Sequence, residues 1–179
     1  GGGGPLTIRE TVESGPLSDP VIEAPSEFGI EYTDDYNGAR QDGIGMTQTT
    51  IRGGRRMSTA HCYLDPARGR ANLKIQANAL TEALVLDGRR CTGVRYSLEG
   101  MTKTASASRE VIVCGGTINS PQLLELSGIG RPDVLKVHGI DVRLELQGVG
   151  ENLRDHFAPR FRWSVPRELG LTYNVHGRG

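Results

Sequence analysis

The sequence predicts an α/β fold, α+β overall, because apolar runs typical of strands alternate with stretches that carry helix start and stop signals. Residues 109–114 hold a short, continuous apolar run, which suits a strand buried on both faces of a parallel sheet. Residues 83–86 and 94–98 flank the turn signal Asp87-Gly88, and this pattern predicts a β-hairpin. A buried parallel strand and an antiparallel hairpin, with helices between them, lead to the α/β assignment.

Further elements follow from local signals along the chain. Asp19 and Pro20 stand where a helix N-cap and a first helical residue are expected, and Gly29 would end that helix. Ser120 and Pro121 carry the same pair of signals for a later helix. The expected helices span 21–28, 58–68 (capped by Ser58 or Thr59), 120–126 and 132–138. The expected strands span 72–78, 83–86, 94–98, 109–114, 140–146 and 160–165. Residues 34–45 are expected to form a loop.

Composition limits the classes of function. The chain has 179 residues, of which 36% are apolar, enough for one domain with a core. Its 21 basic and 21 acidic side chains cancel, so the bulk charge recruits neither nucleic acid nor an anionic membrane. The three cysteines form no CxxC pair, which argues against a zinc site and favours a reducing, cytoplasmic location. No apolar run reaches the ~18 residues that would span a bilayer.

Two local motifs leave alternatives open. The pair Gly115-Gly116 follows an expected strand and precedes an expected helix, so bare backbone there could approach a cofactor. The spacing is not GxGxxG, and a plain tight turn is the alternative. The segment Arg52-Gly-Gly-Arg-Arg56 could suggest RNA binding, but no aromatic residue interleaves with it, which favours a solvated or phosphate-adjacent turn.

Three stretches carry a resemblance to a known family. Residues 116–130 read Gly-Thr-Ile-Asn-Ser-Pro-Gln-Leu-Leu-Glu-Leu-Ser-Gly-Ile-Gly and closely resemble the second signature of the glucose–methanol–choline (GMC) oxidoreductases. Residues 148–156, Gly-Val-Gly-Glu-Asn-Leu-Arg-Asp-His, resemble a second family segment, and residues 54–59 fit as well. The resemblance covers nearly the whole chain and is strongest to the choline-dehydrogenase-like branch.

The resemblance implies a fold, a cofactor and a reaction. It implies part of a Rossmann-like FAD-binding domain plus part of an antiparallel-sheet substrate domain. Residues 1–58 would belong to the substrate-binding domain and connecting loops, 59–156 to the central part of the FAD-binding domain, and 157–179 to the start of the substrate-domain sheet. Members bind FAD without a metal and oxidise a small-molecule alcohol by hydride transfer to the flavin.

The resemblance also implies site residues. The main chain at Thr81, next to Leu80, would contact the adenine of FAD. Cys114, Gly115 and Gly116, followed by Thr117, would lie near the ADP half of the cofactor. Cys114 stands where a smaller residue is usual, and a free thiol there acts as a small hydrophobe rather than a nucleophile.

No catalytic residue is expected within the chain. The family's catalytic His lies in a segment beyond residue 179, so His156 is assigned a structural role, as are the isolated residues His61, His138 and His176. The chain is therefore expected to be an internal fragment, inactive by itself. The alternative is a non-catalytic α/β module, derived from the same scaffold, that binds a nucleotide or a partner.

Overall fold

The computed structural model describes residues 3–11, 15–162 and 164–166. The chain divides into two compact units, Ile75–Pro159 and the flanking stretches Gly1–Lys74 with Arg160–Gly179. Each unit is described by itself below. Among the described residues, no helix is long and apolar enough to cross a membrane.

The flanking unit is built from short elements. Strand β1 (Arg9–Glu10) pairs antiparallel with β2 (Gln48–Thr49), and β3 (Ile51–Arg52) pairs antiparallel with β4 (Arg55–Arg56). Gly53 and Gly54, both at positive φ, form the turn between β3 and β4, so the arginine-rich segment is a turn, in agreement with the interpretation favoured from the sequence. Ile44 bridges to Tyr32, which closes the predicted loop.

The first predicted helix is present but starts earlier than expected. Helix α1 (Ser18–Glu23) runs into a 3₁₀ helix (Ala24–Phe28), which ends at Gly29 with φ of 74°. The prediction of Asp19 as N-cap is wrong, because Leu17 holds that position and Asp19 lies in the first turn. The Asp19 carboxylate instead accepts a hydrogen bond of 3.2 Å from the Gly15 backbone N–H.

The second predicted helix forms as a π-helix (Ala60–Leu64) continued by α2 (Asp65–Ala67). The Ser58 hydroxyl accepts a 3.4 Å hydrogen bond from the His61 backbone N–H, which fits the predicted cap. The strand predicted over 72–78 is wrong, since those residues form no ladder.

A three-stranded antiparallel sheet dominates the unit from Ile75 to Pro159. Strands β5 (Leu80–Asp87), β6 (Arg90–Leu98) and β7 (Met101–Ser106) pair in that order. The first pair confirms the predicted hairpin. Strand β7 was not expected, because both of its faces are largely exposed and its sequence therefore lacks apolar alternation.

Helix α3 (Gly116–Leu126) and a small parallel sheet complete this unit. Strand β8 (Ile129–Gly130) pairs parallel with β9 (Leu144–Glu145), and α4 (Pro132–Val137) connects them. The predicted helix 132–138 is confirmed, whereas the strand expected over 140–146 shrinks to two residues. Helix α3 was expected to begin at Ser120 but begins at Gly116, and Pro121 lies inside it.

Two predicted strands are absent from the described residues. Residues 109–114 form no ladder, and neither do 160–162 and 164–166. A strand needs a neighbour to accept its backbone hydrogen bonds, and the described part of the chain places none beside these segments. Trp163, the rest of the predicted sheet start at 167–179, and His176 lie outside the described residues.

The packed centre of the second unit is small. Leu135 is fully buried, and Ile129, Ala83 and Ser127 are also buried. These residues come from α4, β8, β5 and the end of α3. The core therefore joins the outer edge of the antiparallel sheet to the C-terminal end of α3.

Candidate cofactor-binding site

Two distant stretches meet in one cavity. Leu80 and Thr81 from the start of β5 and Cys114 and Gly115 from the approach to α3 all line a cavity of about 480 Å³. These four were predicted from the resemblance to lie on the adenine and ADP portions of FAD. They are separated by more than thirty residues in sequence, so their convergence comes from the packing of α3 against β5.

The other two predicted residues lie outside that cavity. Thr117 lines a second cavity, of about 630 Å³, whose opposite wall is the segment 148–154. Gly116 lies between the two groups and lines neither cavity in the described structure. Because Pro121 has no N–H, the Thr117 carbonyl receives no helical hydrogen bond from it. Thr117 therefore places a backbone carbonyl that lacks this bond at the edge of the second cavity.

The two glycines differ in what surrounds them. A Cβ added at Gly115 would lie 3.2 Å from Asn119 Cβ and from the Ser120 nitrogen, so a side chain would crowd the first turn of α3. Gly116 has φ of +83°, and no atom lies within 4 Å of the position of its absent Cβ. The backbone at Gly116 is therefore open to close approach by another group, and its conformation favours glycine.

The walls of the first cavity combine apolar side chains with free backbone. Leu80 is 70% exposed and Ile112 is 75% exposed, although both are large and apolar. Within the described chain, residues 110–113 make no backbone hydrogen bond. Apolar walls suit a flat aromatic ring, and unpaired backbone donors and acceptors suit its polar edge. This lining fits the adenine end of FAD.

One residue that the sequence reasoning missed joins the two walls of this cavity. The Ser127 hydroxyl accepts a 2.8 Å hydrogen bond from the Leu84 backbone N–H and donates a 2.6 Å hydrogen bond to the Leu123 carbonyl. Leu84 and Leu123 both line the cavity. The serine belongs to the signature segment, but its partner in β5 lies 43 residues away, and no local pattern identifies such a contact.

An ion network holds the segment 148–154 in place. Arg131 pairs with Asp133 and with Glu151, the latter at 2.9 Å. The hydrogen bond from Arg131 holds the pKa of Asp133 below its usual 3.8, and the hydrogen bonds to Asp133 and then Glu151 raise the pKa of Arg131. The network joins the start of α4 to one wall of the second cavity.

Two of the described histidines contact a neighbouring acidic residue. His61 Nδ1 lies 2.9 Å from Asp65 Oδ2 on an exposed helix face. The backbone N–H of His156 donates to the side chain of Asp155. Among the described residues, no group of three or more His, Cys, Asp and Glu side chains could hold a metal ion.

Comparison with known proteins defines the class. A family model described as GMC oxidoreductase matches residues 3–158. The chain is 44% identical over 174 residues to the oxygen-dependent choline dehydrogenase of Chromohalobacter salexigens, covering 96% of this chain and 31% of that protein. It is 46% identical over 171 residues to the mitochondrial choline dehydrogenase of Homo sapiens, covering 96% of this chain and 29% of that protein.

Solved structures agree with this result. Pyridoxine 4-oxidase from Mesorbium loti matches with a TM-score of 0.74 and 32% identity over 82% of this chain and 29% of that one. An FAD-dependent oxidoreductase from Chaetomium thermophilum matches with a TM-score of 0.79 and 27% identity over 86% of this chain and 27% of that one. The chain belongs to the GMC oxidoreductase family, which confirms the resemblance and the α/β fold. It spans about 30% of the length of the curated relatives.

Proposed function

We propose that the chain is part of an FAD-dependent enzyme that oxidises an alcohol to an aldehyde or ketone. The observation that carries the proposal is the convergence of Leu80 and Thr81 with Cys114 and Gly115 on a single cavity. Family membership supports FAD as the cofactor, and the relatives named choline dehydrogenases support an alcohol substrate similar to choline. When bound, the flavin accepts the hydride that leaves the alcohol carbon.

The role of this chain in that enzyme is to hold the cofactor rather than to perform proton transfer. The main chain at Thr81, beside Leu80, would contact the adenine, and Leu80 would supply an apolar wall of its site. Cys114, Gly115, Gly116 and Thr117 follow the ADP half of the cofactor. The catalytic base is supplied from outside residues 1–179. The assignment of 1–58 and 157–179 to the substrate-binding domain, and of 59–156 to the FAD-binding domain, is part of the same proposal.

A pair of matched cysteine variants tests the cofactor site in the whole protein. Cys114 lines the cavity and is exposed, so Cys114→Phe fills the space that the adenine needs. We expect the purified variant to retain less than about a tenth of the wild-type flavin, because a ring-sized side chain displaces a ring-sized ligand. Flavin content is measured from absorbance after gel filtration and identified by chromatography.

The control is Cys91→Phe. This is the same change at a half-buried cysteine in β6 that lines neither of the two cavities described above. We expect it to keep its flavin. Equal flavin loss in both variants, at equal melting temperatures, would contradict the cavity as the cofactor site.

The substrate class is tested by turnover of the whole protein. We expect oxidation of choline or another small alcohol with release of the aldehyde or ketone, measured with an artificial electron acceptor and with oxygen in parallel. A whole protein that retains FAD but turns over no alcohol in a broad panel would instead support the non-catalytic module.

A further inference from the structure

Ser127 occupies a position where one hydroxyl can control two walls of the cofactor cavity. The side chain is buried, with the residue 9% exposed. Its oxygen receives the Leu84 N–H at 2.8 Å, and its proton goes to the Leu123 carbonyl at 2.6 Å. The hydroxyl therefore donates its one proton and accepts one hydrogen bond, and both partners are backbone groups.

The two partners belong to opposite sides of the cavity. Leu84 lies in β5, which is an edge strand of its sheet, so the Leu84 N–H that meets Ser127 points away from β6. Leu123 lies in the last turns of α3. Leu84 and Leu123 both line the cavity that also contains Thr81 and Cys114. The hydroxyl thus fixes the distance between the strand wall and the helix wall.

Ser127 does not itself line that cavity. It lines a different cavity, of about 450 Å³, together with Ala83 and Val85 of β5. An effect of Ser127 on the cofactor therefore passes through residues that do line the cavity, chiefly its hydrogen-bond partners Leu84 and Leu123. This arrangement defines a positioning residue rather than a contact residue.

We propose that Ser127 is a positioning residue that sets the width of the FAD cavity by joining the backbone of β5 to the backbone of α3. The proposal rests on the proposed function, since it takes that cavity as the cofactor site. Removal of the hydroxyl leaves the Leu84 N–H and the Leu123 carbonyl without this partner. The strand and the helix can then separate, and the cavity no longer matches a flat ring.

The test is FAD affinity of the whole protein, prepared as apoprotein and titrated with FAD while flavin fluorescence is followed. We expect Ser127→Ala to weaken FAD binding by about tenfold, the effect of one lost buried hydrogen bond. We expect Ser127→Thr, which keeps the hydroxyl, to bind within about threefold of wild type. The near-ultraviolet circular dichroism of bound FAD should change in the Ala variant and return toward the wild-type spectrum in the Thr variant.

Thr92→Val is the matched control. The Thr92 hydroxyl donates a 3.2 Å hydrogen bond to the carbonyl of Val85, the residue after Leu84 in β5, and neither Thr92 nor Val85 lines the FAD cavity. We expect this variant to lose a similar amount of thermal stability with no more than a twofold change in FAD affinity. Equal weakening by Thr92→Val and Ser127→Ala, or an unchanged affinity in Ser127→Ala, overturns the positioning role.

A third variant and the wild-type titration separate the possible outcomes. Ser127→Cys preserves the side-chain shape with a much weaker hydrogen bond. It replaces the Ala variant in the FAD titration if the Ala variant does not fold. Wild-type affinity for FAD in the Cys variant also overturns the proposal. Failure of the wild-type protein to bind FAD defeats the proposed function. Tight binding by wild type with no loss in the Ser127 variants defeats this inference alone.

Discussion

Gly128 lies where the end of α3 passes closest to the chain that returns from α4. Its φ is +82°, and an added Cβ would lie 2.4 Å from the Asp141 carbonyl oxygen. Gly128→Ala therefore combines a left-handed backbone with a steric clash, and we expect the free energy of unfolding to fall by about 2–4 kcal/mol. Denaturant unfolding of the whole protein measures the change.

Gly139→Ala separates the two causes. Gly139 also has positive φ, +67°, but no atom lies within 4 Å of its Cβ position. The variant should lose about 1 kcal/mol, the cost of the backbone conformation alone. A loss at Gly139 as large as the loss at Gly128 would show that contact with Asp141 contributes nothing.

The signature segment divides into two halves with different tasks. Gly116 at its start, like Gly115 just before it, faces open space or the first turn of α3, where a ligand can approach. Ser127, Gly128 and Ile129 at its end are buried and joined to β5 and β9 by hydrogen bonds. The resemblance pointed to the first half as cofactor contacts. It gave no role to the second half, because the partners there are distant in sequence.

Arg131 ties helix α4 to the segment 148–154, and this link has a defined pH dependence. The hydrogen bond from Arg131 lowers the pKa of Asp133 below 3.8. A carboxyl whose folded pKa is depressed stabilises the fold above its unfolded pKa, and that stabilisation is lost as the pH falls through the folded pKa. The contribution of this pair is therefore complete near neutral pH and disappears in acid below about pH 4.

Arg131→Met tests this link. We expect the variant to be less stable than wild type at about pH 6, and we expect the difference to shrink as the pH falls below about 4 and passes through the depressed pKa of Asp133. Arg154→Met is the control, since Arg154 has no ion pair among the described residues. A stability difference that stays constant across this pH range contradicts the role assigned to the Arg131–Asp133 pair.

The elements predicted correctly are those whose signals are local. The turn at Asp87-Gly88, the end of the 3₁₀ helix at Gly29 and the helix over 132–138 each follow from adjacent residues. The start of α3 was misplaced because Ser120-Pro121 is a strong capping signal in isolation. In the structure the helix begins four residues earlier, and the proline costs it only one internal hydrogen bond.

The burial of side chains across the chain is lower than its length would suggest. Among the described residues, Leu135 is the one large side chain that is fully buried. Phe28, Phe157 and Leu153 are all more than 70% exposed. Apolar surface of this extent normally marks contact with other protein. The chain spans about a third of the length of the curated relatives, and the remaining residues of those relatives can supply such contact.

This exposure gives a prediction for residues 1–179 expressed alone. We expect broad, weakly cooperative thermal unfolding, strong binding of a hydrophobic dye and no retained FAD, because the buried apolar area is too small to offset chain entropy. The whole protein should melt in a sharp transition. A sharp, reversible transition of the isolated 179-residue chain would contradict the prediction.

The antiparallel sheet β5–β6–β7 also bears on the order in which the chain folds. Its strands are joined by tight turns at Gly88 and Glu99-Gly100, so every ladder contact joins residues close in sequence. Among the described residues, none forms a ladder with 110–113, so a strand that pairs with this segment does not come from the β5–β6–β7 sheet. Contacts of short sequence separation form faster than distant ones. We therefore expect this sheet to form early in folding. The cofactor cavity, which needs the more distant contacts, then forms against it late in folding.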